Sequence, residues 1–352
     1  MSKVTYVFAK NRKKFLIENN YEAKEFFYGA TEFKNNNYDT EIIEFDENNK
    51  NYFFKFTDRI LSKFVSLPFY SEKICTLKNL RILLKSEKIY LVNEGVGCSL
   101  IPLLLIVKLF KSINVYVFVM GLYSKNLQYQ RLKFFHNFVI KLLVFLCSEI
   151  FFLGEGEFQK GKQFHKFSKK LKLTNFTVDY QFWKSEINCS ENEHILFIGN
   201  DGNKNYDLLI DIAMNLPEYK FVFVSSNKNL LDLKLNNVKV VKGEWGNNYL
   251  TDSELKKVYE KSKISILPLN DTFQPSGQSV ALQSMAVGVP VIISKTKGFW
   301  DKNNFKNKKN ILFVDKNSTS DWINTISKYY KDNDTLNEIA LNSKKIMKDV
   351  YD

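Results

Sequence analysis

The stretch Ile264–Ser294 reads ISILPLNDTFQPSGQSVALQSMAVGVPVIIS and decides the fold of the chain. The runs Ile264–Leu267 and Val289–Ile293 are short and aliphatic, which is typical of strands buried on both faces of a parallel sheet. Between them, a polar loop over Pro268–Ser276 leads into a predicted helix over Gly277–Val287. This order of strand, loop, helix and strand predicts a βαβ unit and therefore an α/β fold.

The polar loop ends where the predicted helix presents its free N–H groups and the positive end of its dipole. Such a helix start can hold a phosphate group. Ser276 and Ser279 add hydroxyl donors at this point. The alternative is that Ser276 only caps the helix, which needs a single residue and does not account for a long polar loop. On local residues alone, both interpretations stand.

The end of this stretch resembles the signature of retaining glycosyltransferases of family 4. That signature has Glu-Ala-Met-Ala-x-Gly on a helix, followed by Pro-Val-Ile, and here Gln283–Ile292 reads QSMAVGVPVI. The resemblance implies the GT-B fold, an α/β fold with two Rossmann-like domains whose parallel sheets face each other across a cleft. The C-terminal half follows the family throughout, and the N-terminal half matches it in layout.

The repeated alternation of predicted strands and helices fits two domains in a chain of 352 residues. We predict an N-terminal Rossmann-like acceptor-binding domain over 1–177, a linker over 178–193 and a C-terminal nucleotide-sugar-binding domain over 194–333. The resemblance implies that the last helix, 334–352, packs back on the first domain. Within the first domain, Tyr21–Asn36 is predicted to be one helix.

The formal net charge of +13 admits three explanations: a nucleic-acid surface, an anionic membrane surface, or phosphorylated substrates together with solubility. Nucleic acid is not expected, because no arginine stripe, helix-turn-helix or zinc-finger spacing is present. The four cysteines are far apart and are expected to be reduced thiols. Without a signal-peptide core or a long apolar run, we expect a cytoplasmic protein, with a peripheral position on the inner face of the membrane as a further option.

The predicted strand Ile195–Ile198 runs into a polar turn that begins with Gly199 and Asn200. In the resembled family, an arginine and a lysine in this turn hold the diphosphate of the donor. Lys204 takes the place of that lysine, whereas Asn200 replaces the arginine. The resemblance therefore implies that Lys204 stabilises the charge that grows on the leaving diphosphate. The alternative is a solvated turn lysine.

Two glutamates of the resembled family are replaced in this chain. Gln283 matches the one that holds the ribose hydroxyls, and an amide can both donate to and accept from a diol. Gln274 lies one residue out of register with the other, whose place Pro275 takes. The alternative for Gln283 is a surface position on the helix. The donor-binding residues expected around this helix are Gln274, Ser276, Gly277, Gln278, Ser279 and Gln283.

Two further residues are candidates. Trp245 follows the predicted strand Val238–Val241 and is expected either to stack on the nucleotide base or to be a packing tryptophan. Glu94 follows the predicted strand Lys88–Asn93 and is the acid expected to contact the acceptor or the donor sugar. No Asp-x-Asp follows a strand, so neither a metal nor any cofactor is implied beyond the nucleotide-sugar, which is the donor substrate.

The segment Arg131–Leu153 mixes basic residues with many apolar ones, and Lys160–Lys172 after it is rich in lysine. One interpretation is contact with an anionic membrane, which suits a lipid-linked acceptor. The other is an ordinary buried helix followed by a solvated lysine run. Both stay open.

These residues and the resemblance together predict a hexosyltransferase. It would move a hexose from a nucleotide-diphosphate sugar to a surface glycan, such as lipopolysaccharide or capsule, or to a lipid-linked acceptor, with retention. One alternative is a degenerate, non-catalytic partner subunit, because the family's arginine and glutamates are replaced. Another is a sugar-binding protein of two hinged lobes. A nicotinamide-dependent oxidoreductase is disfavoured, since no Gly-x-Gly-x-x-Gly lies between a strand and a helix.

Overall fold

The computed structural model describes residues 3–49, 51–65, 67–124, 130–165, 168–243 and 250–352. The chain divides into two compact units, Met1–Thr174 and Asn175–Asp352. Each unit contains a six-stranded sheet in which every described pair of neighbouring strands is parallel. The predicted alternation of strands and helices is confirmed in both halves.

The first unit has the strand order β2-β1-β3-β4-β5-β6. Its strands are β1 (Lys3–Val7), β2 (Asp39–Ile43), β3 (Lys88–Leu91), β4 (Asn114–Val119), β5 (Glu149–Phe152) and β6 (Leu171–Leu173). Its helices are α1 (Lys13–Glu18), a 3₁₀ turn (Glu25–Phe27), α2 (Ala30–Asn35), α3 (Tyr52–Phe64), α4 (Ser71–Ile74), α5 (Leu77–Lys85), α6 (Glu94–Phe110), α7 (Gln130–Leu146) and α8 (Glu155–Phe164). Alternate residues of β4 are fully buried in the core, as the pleat requires.

The second unit has the strand order β12-β11-β10-β7-β8-β9. Its strands are β7 (His194–Ile198), β8 (Lys220–Val224), β9 (Val238–Val241), β10 (Ser262–Leu267), β11 (Val291–Ser294) and β12 (Leu312–Val314). Its helices are α9 (Tyr180–Trp183), a 3₁₀ turn (Cys189–Glu191), α10 (Tyr206–Met214), α11 (Lys228–Leu231), α12 (Asp252–Glu260), α13 (Gln278–Val287), α14 (Thr319–Tyr330) and α15 (Asn333–Val350). Every residue of β10 is buried, including Ser262, Lys263 and Ser265, as expected for a central strand of a parallel sheet covered on both faces.

The predicted single helix over Tyr21–Asn36 is wrong. Tyr28 and Gly29 have φ angles of 52° and 83° and separate the 3₁₀ turn from α2. Two consecutive left-handed residues cannot continue a right-handed helix. The apolar periodicity survives the break because Phe27 and Ala30, on either side of it, both enter the core.

Two parts of the lysine-rich segment Lys160–Lys172 have regular secondary structure. Its first part ends α8, and its last part forms β6, which neither the lysine count nor the periodicity indicated. The four cysteines are buried and not joined in disulfides. Within the described ranges, no helix combines the length and the apolar character that crossing a bilayer requires.

Residues predicted as a linker, 178–193, pack on the second unit. Trp183 is fully buried there, with its ring perpendicular to that of Tyr259 at a centroid distance of 5.9 Å. The end of the chain packs on the same unit. The Tyr351 carbonyl accepts a hydrogen bond from the Val178 amide at 2.7 Å. The Tyr351 hydroxyl donates to Asp301 Oδ2 at 2.7 Å. Tyr351 therefore ties α15 to two other segments of the second unit.

We expect Tyr351→Phe to lower the free energy of unfolding by about 1–3 kcal/mol, because a buried carboxylate loses one of its donors. Tyr330→Phe is the matched control, since the hydroxyl of Tyr330 bonds to the Glu193 carbonyl at the surface. Its cost is expected to stay below about 1 kcal/mol. Urea unfolding of the full chain measures both, and equal costs would contradict the anchoring role of Tyr351.

Candidate functional site

The strand order of the second unit reverses between β7 and β10. From β7 the chain moves outward through β8 to β9, and then returns to place β10 on the other side of β7. At such a switch point the loops that follow the two adjacent strands diverge from the sheet, and ligands of open α/β sheets bind at the carboxyl ends of these strands. The topology therefore selects the loop after β7 and the loop after β10.

These two loops are joined by backbone hydrogen bonds. The Asn205 amide donates to the Pro268 carbonyl at 3.0 Å, and the Asn270 amide donates to the Asn203 carbonyl at 2.8 Å. Between these bonds, Lys204 and Leu269 form an antiparallel bridge. The position of Lys204 relative to the loop after β10 is thereby fixed by the backbone.

Lys204 is a buried lysine, with only 4% of its surface exposed, and not a solvated turn residue. Its Nζ donates to Asp201 Oδ2 at 2.7 Å and to Ser276 Oγ at 3.1 Å. Ser276 Oγ in turn donates to Asp201 Oδ1 at 3.3 Å. The side chain of Asp201 is half exposed, so the ion pair reaches solvent on the Asp201 side. Asp201 was not predicted, although it lies only three residues before Lys204.

Gly199 provides the space for the Lys204 side chain. A Cβ atom at Gly199 would lie 2.7 Å from Lys204 Cε and 2.9 Å from Cγ, distances that real Cβ atoms do not adopt. The lysine stem therefore lies directly against the backbone that ends β7. Gly199 is required because of this close approach and not because of its φ angle, which is not in the left-handed region.

Ser276 is not the cap of α13, so the capping interpretation is wrong. The N-cap is Gly277, which has a φ of 75° and no side chain to bond the helix start. The first intrahelical bond runs from the Ala281 amide to the Gly277 carbonyl at 2.9 Å. Helix geometry leaves the amides of the first turn, which begins at Gln278, without acceptors inside the helix. Ser276 instead uses its hydroxyl on Lys204 and Asp201.

The other predicted residues of the loop lie around this helix start. Gln278 is buried, and Ser279 and Gln274 are partly exposed. The Gln274 carbonyl is so close to Gly298 that a Cβ there would lie 2.4 Å from its oxygen. Asp271 accepts from the Lys297 amide at 2.9 Å. The loop after β10 thus packs against the segment after β11 and is hydrogen-bonded to it.

Gln283 is buried, with 4% exposed, so the alternative of a surface position is wrong. Its Oε1 accepts a hydrogen bond from the Tyr259 hydroxyl at 3.2 Å. That hydroxyl also lies 3.2 Å from the Val280 carbonyl, one turn earlier in α13. Tyr259 is fully buried and was not predicted, since no local pattern connects α12 with α13. The pair of Tyr259 and Gln283 holds α13 against α12.

Asn200, which replaces the family's arginine, joins the ends of three strands. Its Nδ2 donates to the Gly243 carbonyl at 2.8 Å, after β9. Its Oδ1 accepts from Ser225 Oγ at 3.1 Å and from the Ser226 amide, both after β8. The residue is therefore committed to the sheet edge and supplies no positive charge. Trp245 lies outside the described residues.

Glu94 belongs to the first unit, where it is the first residue of α6. Its Oε2 accepts from the Met120 amide at 3.1 Å. Glu157, which was not predicted, accepts from the Tyr123 amide at 2.8 Å in the same turn after β4. Glu157 is fully buried, and this burial, with Glu94 as the next contribution, raises its pKa to about 8. Two carboxyl groups thus hold one turn, and Glu157 is mostly protonated at neutral pH.

The raised pKa of Glu157 predicts a pH-dependent stability. An unperturbed Glu ionises near 4.5, whereas Glu157 in the folded chain ionises near 8, so the folded state binds the additional proton between these values. Stability therefore falls as the pH rises through this window. Glu157→Gln should remove up to about 4 kcal/mol of this loss. Urea unfolding between pH 5 and pH 9 measures it, and parallel curves for both proteins would contradict it.

We expect Gly199→Ala to lower the free energy of unfolding by about 1–3 kcal/mol, because the new methyl group displaces the buried Lys204 stem. Gly202→Ala in the same turn is the control, since nothing lies within 4 Å of its added Cβ. Its effect is expected within about 0.5 kcal/mol. Chemical denaturation of both variants tests the packing of Lys204, and equal stabilities would refute it.

Comparisons with known proteins bear on this site. Residues 192–332 match the family model described as "Glycosyl transferases group 1". The match covers most of the second unit. The matched region contains Lys204, Ser276, Gly277 and Gln283, whereas Glu94 lies outside it. A search of curated proteins finds no match to the sequence.

Solved structures resemble the chain over its whole length. HepE of Anabaena in complex with UDP and glucose has a TM-score of 0.66 at 12% identity, covering 100% of this chain and 96% of its own. Sucrose-phosphate synthase of Thermosynechococcus elongatus has a TM-score of 0.69 at 12% identity, with 100% and 95% covered. A TarM variant of S. aureus has a TM-score of 0.65 at 12% identity, with 100% and 97% covered.

This likeness, at low sequence identity, establishes the fold. The two six-stranded parallel sheets of this chain match those of GT-B glycosyltransferases, and the predicted α/β fold of GT-B type is confirmed. The region that matches the group 1 family contains the candidate site at the carboxyl ends of β7 and β10. Among the described residues, no group of three or more His, Cys, Asp or Glu side chains is placed to hold a metal ion.

Proposed function

We propose that the protein transfers a hexose from a nucleotide-diphosphate sugar to a surface-glycan or lipid-linked acceptor, with retention. The observation that carries the proposal is the buried ammonium of Lys204, held 3.1 Å from Ser276 Oγ beside the uncapped start of α13. A fixed cation next to the first turn of a helix, where the amides and the positive end of the dipole point outward, is an arrangement that suits a diphosphate. It lies in the region that matches the group 1 family, at the switch point of the sheet.

In this proposal the protein stabilises the leaving diphosphate. When the bond to the sugar breaks, negative charge grows on the diphosphate oxygen atoms, and donors already in place stabilise it without rearrangement. Lys204 supplies a full charge and the first turn of α13 supplies the dipole and the amides. A diphosphate at this position competes with Asp201 for the same ammonium, since Asp201 Oδ2 lies 2.7 Å from Lys204 Nζ. The incoming hydroxyl gives its proton to the leaving diphosphate, so no strong base is required.

The other predicted residues receive supporting roles. Gln274, Gln278 and Ser279 surround the helix start and are proposed to contact the sugar and the phosphates. Gln283 is proposed to lie next to the ribose, a role that rests on the resemblance. Glu94 is proposed to contact the acceptor or the donor sugar from the first unit. No metal or cofactor takes part in this scheme.

The choice of donor is supported by the ligands of structurally similar proteins. HepE of Anabaena has been solved with UDP and glucose and with UDP-glucose, and the TarM variant with UDP. These ligands were observed in those proteins and not in this chain. They make UDP-sugars the first donors to test with this chain.

A degenerate partner subunit is the second candidate, and one observation favours it. Asn200 stands where the family has an arginine, and its amide is used to join the strand ends, so one cation of the diphosphate grip is replaced by a neutral structural residue. Such a subunit would bind a nucleotide weakly and would not release UDP from a sugar donor. Binding and turnover therefore separate the two candidates.

We expect the full chain to bind UDP and to release UDP slowly from at least one UDP-sugar in the absence of acceptor. Lys204→Met should weaken UDP binding by about 10–100-fold, because a charge-assisted contact of roughly 1.5–3 kcal/mol is lost while the apolar stem is kept. Calorimetry measures the binding, and chromatography of the nucleotide products measures the release.

Lys220→Met is the matched control, since Lys220 is an exposed lysine in the same unit that pairs with Glu193. It should leave UDP binding unchanged. Binding of UDP without any release from a panel of UDP-, GDP- and ADP-sugars favours the partner subunit. Absence of any nucleotide response, or equal binding by Lys204→Met and the native chain, overturns the proposed donor site.

A further inference from the structure

Helix α3 of the first unit carries apolar residues on two different faces. Phe54 and Leu61 pack against the core of that unit. Phe53, Phe56 and Ile60 follow one another at helical spacing on the other face, and Phe64 continues the row. These four side chains are between 40% and 69% exposed. The core therefore uses only one of the two apolar faces of α3.

Helix α7 repeats this pattern. Val139, Ile140 and Leu143 are buried in the core of the first unit. In contrast, Phe134 and Phe138 point outward, as do Phe135 and Phe145, and these four rings are between 50% and 70% exposed. An ordinary buried helix, one of the two interpretations of this segment, accounts for the inward residues and not for the four outward rings.

The two outward rows belong to one surface. The rings of Phe64 on α3 and Phe135 on α7 are in contact, with a centroid distance of 5.9 Å. The surface, here called the phenylalanine face, consists of Phe53, Phe56, Ile60, Phe64, Phe134, Phe135, Phe138 and Phe145. Contiguous exposed apolar patches of this kind mark interaction sites in soluble proteins.

The end of α6 extends this side of the unit. The connections from β3 to β4 and from β4 to β5 advance in one direction, so right-handed crossovers place α6 and α7 on the same face of the sheet. Leu109 and Phe110, at the end of α6, are both largely exposed. Exposed apolar side chains are thus also present at the end of α6, on the face of the sheet that carries α7.

The charges on the phenylalanine face are positive. Arg59 and Lys63 on α3 and Lys133 and Lys141 on α7 are exposed beside the aromatic rings. Asp58 is the only acidic residue of α3, and it is buried and accepts from the Glu72 amide. The sequence of α7 contains no acidic residue. Aromatic rings surrounded by basic side chains are complementary to a partner surface with an apolar interior and a negatively charged outer layer.

We propose that the phenylalanine face docks the first unit on an anionic lipid bilayer. The rings enter the boundary between headgroups and acyl chains, and the basic side chains contact the lipid phosphates. A second copy of this chain is a poorer occupant, because a two-fold interface would bring the same lysines and arginine against each other. The inference concerns the first unit alone and does not depend on the transfer reaction in the proposed function.

Co-sedimentation of the full chain with vesicles tests the proposal. One set of vesicles contains phosphatidylcholine alone, and the other contains phosphatidylcholine and phosphatidylglycerol in equal parts. Binding is expected only to the mixed vesicles and should weaken as salt is added, because the lysine contacts are screened.

A triple variant carrying Phe56→Ser, Phe134→Ser and Phe138→Ser should bind the mixed vesicles at least about tenfold more weakly, since membrane affinity follows the buried apolar area. A second variant, Arg59→Glu with Lys141→Glu, should lose the preference for anionic lipid. The control is Met214→Ser with Leu341→Ser, which removes two exposed apolar residues of the second unit. It should bind the vesicles as the native chain does.

Binding of UDP by each variant shows that it is folded, or, if no form binds UDP, a cooperative thermal transition does so. This separates loss of docking from failure of the donor site. Equal vesicle binding by the triple variant and the native chain overturns the proposal. Absence of vesicle binding by the native chain also overturns it. This includes the outcome in which the native chain binds no vesicles and forms a dimer that the triple variant does not form. Loss confined to the triple and charge-reversed variants supports it.

Discussion

A buried ammonium group must have partners, and the second unit is arranged to supply them to Lys204. Removing a charge from water costs several kcal/mol unless a counter-charge and hydrogen bonds replace the lost solvation. Asp201 provides the counter-charge and Ser276 the hydrogen bond. These partners come from the loops after β7 and β10, which meet because the two strands are neighbours in the sheet and backbone hydrogen bonds join the loops. The neighbouring position of β7 and β10, the joined loops and Gly199 after β7 together allow this requirement to be met.

Much of this arrangement follows from local sequence patterns. Aliphatic runs separated by a polar loop and a helix predict parallel strands, and the polar residues at their carboxyl ends predict the edge of the sheet where Lys204 and Ser276 lie. Neither strand order nor loop pairing has a local signal, so the contact between these residues across seventy-two positions was an expectation from the family resemblance. Asp201 was missed because an acid in a polar turn resembles any solvated residue.

Long-range contacts explain the other failures. Gln283 is buried because Tyr259 of α12 bonds it, and nothing in the sequence of α13 indicates that neighbour. Glu157 lies fully buried beside Glu94 through the packing of α8 against the strand ends, although a glutamate at a helix start is usually solvated. The break at Tyr28 and Gly29 depends on two backbone angles that apolar periodicity does not report. The composition of α7 indicated its many apolar residues, but only the structure shows which rings face outward.

Helix α13 lies between two glycines in the left-handed conformation, Gly277 and Gly288, and all but two of its residues are buried. A helix confined at both ends and on most of its surface can neither slide nor lengthen without disturbing β10 and β11. The amides proposed to bind the diphosphate are therefore held in place before a ligand arrives, and a ligand that reaches them need not supply the conformational entropy of ordering a loop. In the proposed function, discrimination between nucleotides then depends on the fit of the base and the sugar, since the proposed phosphate site is rigid and phosphate is common to all nucleotides.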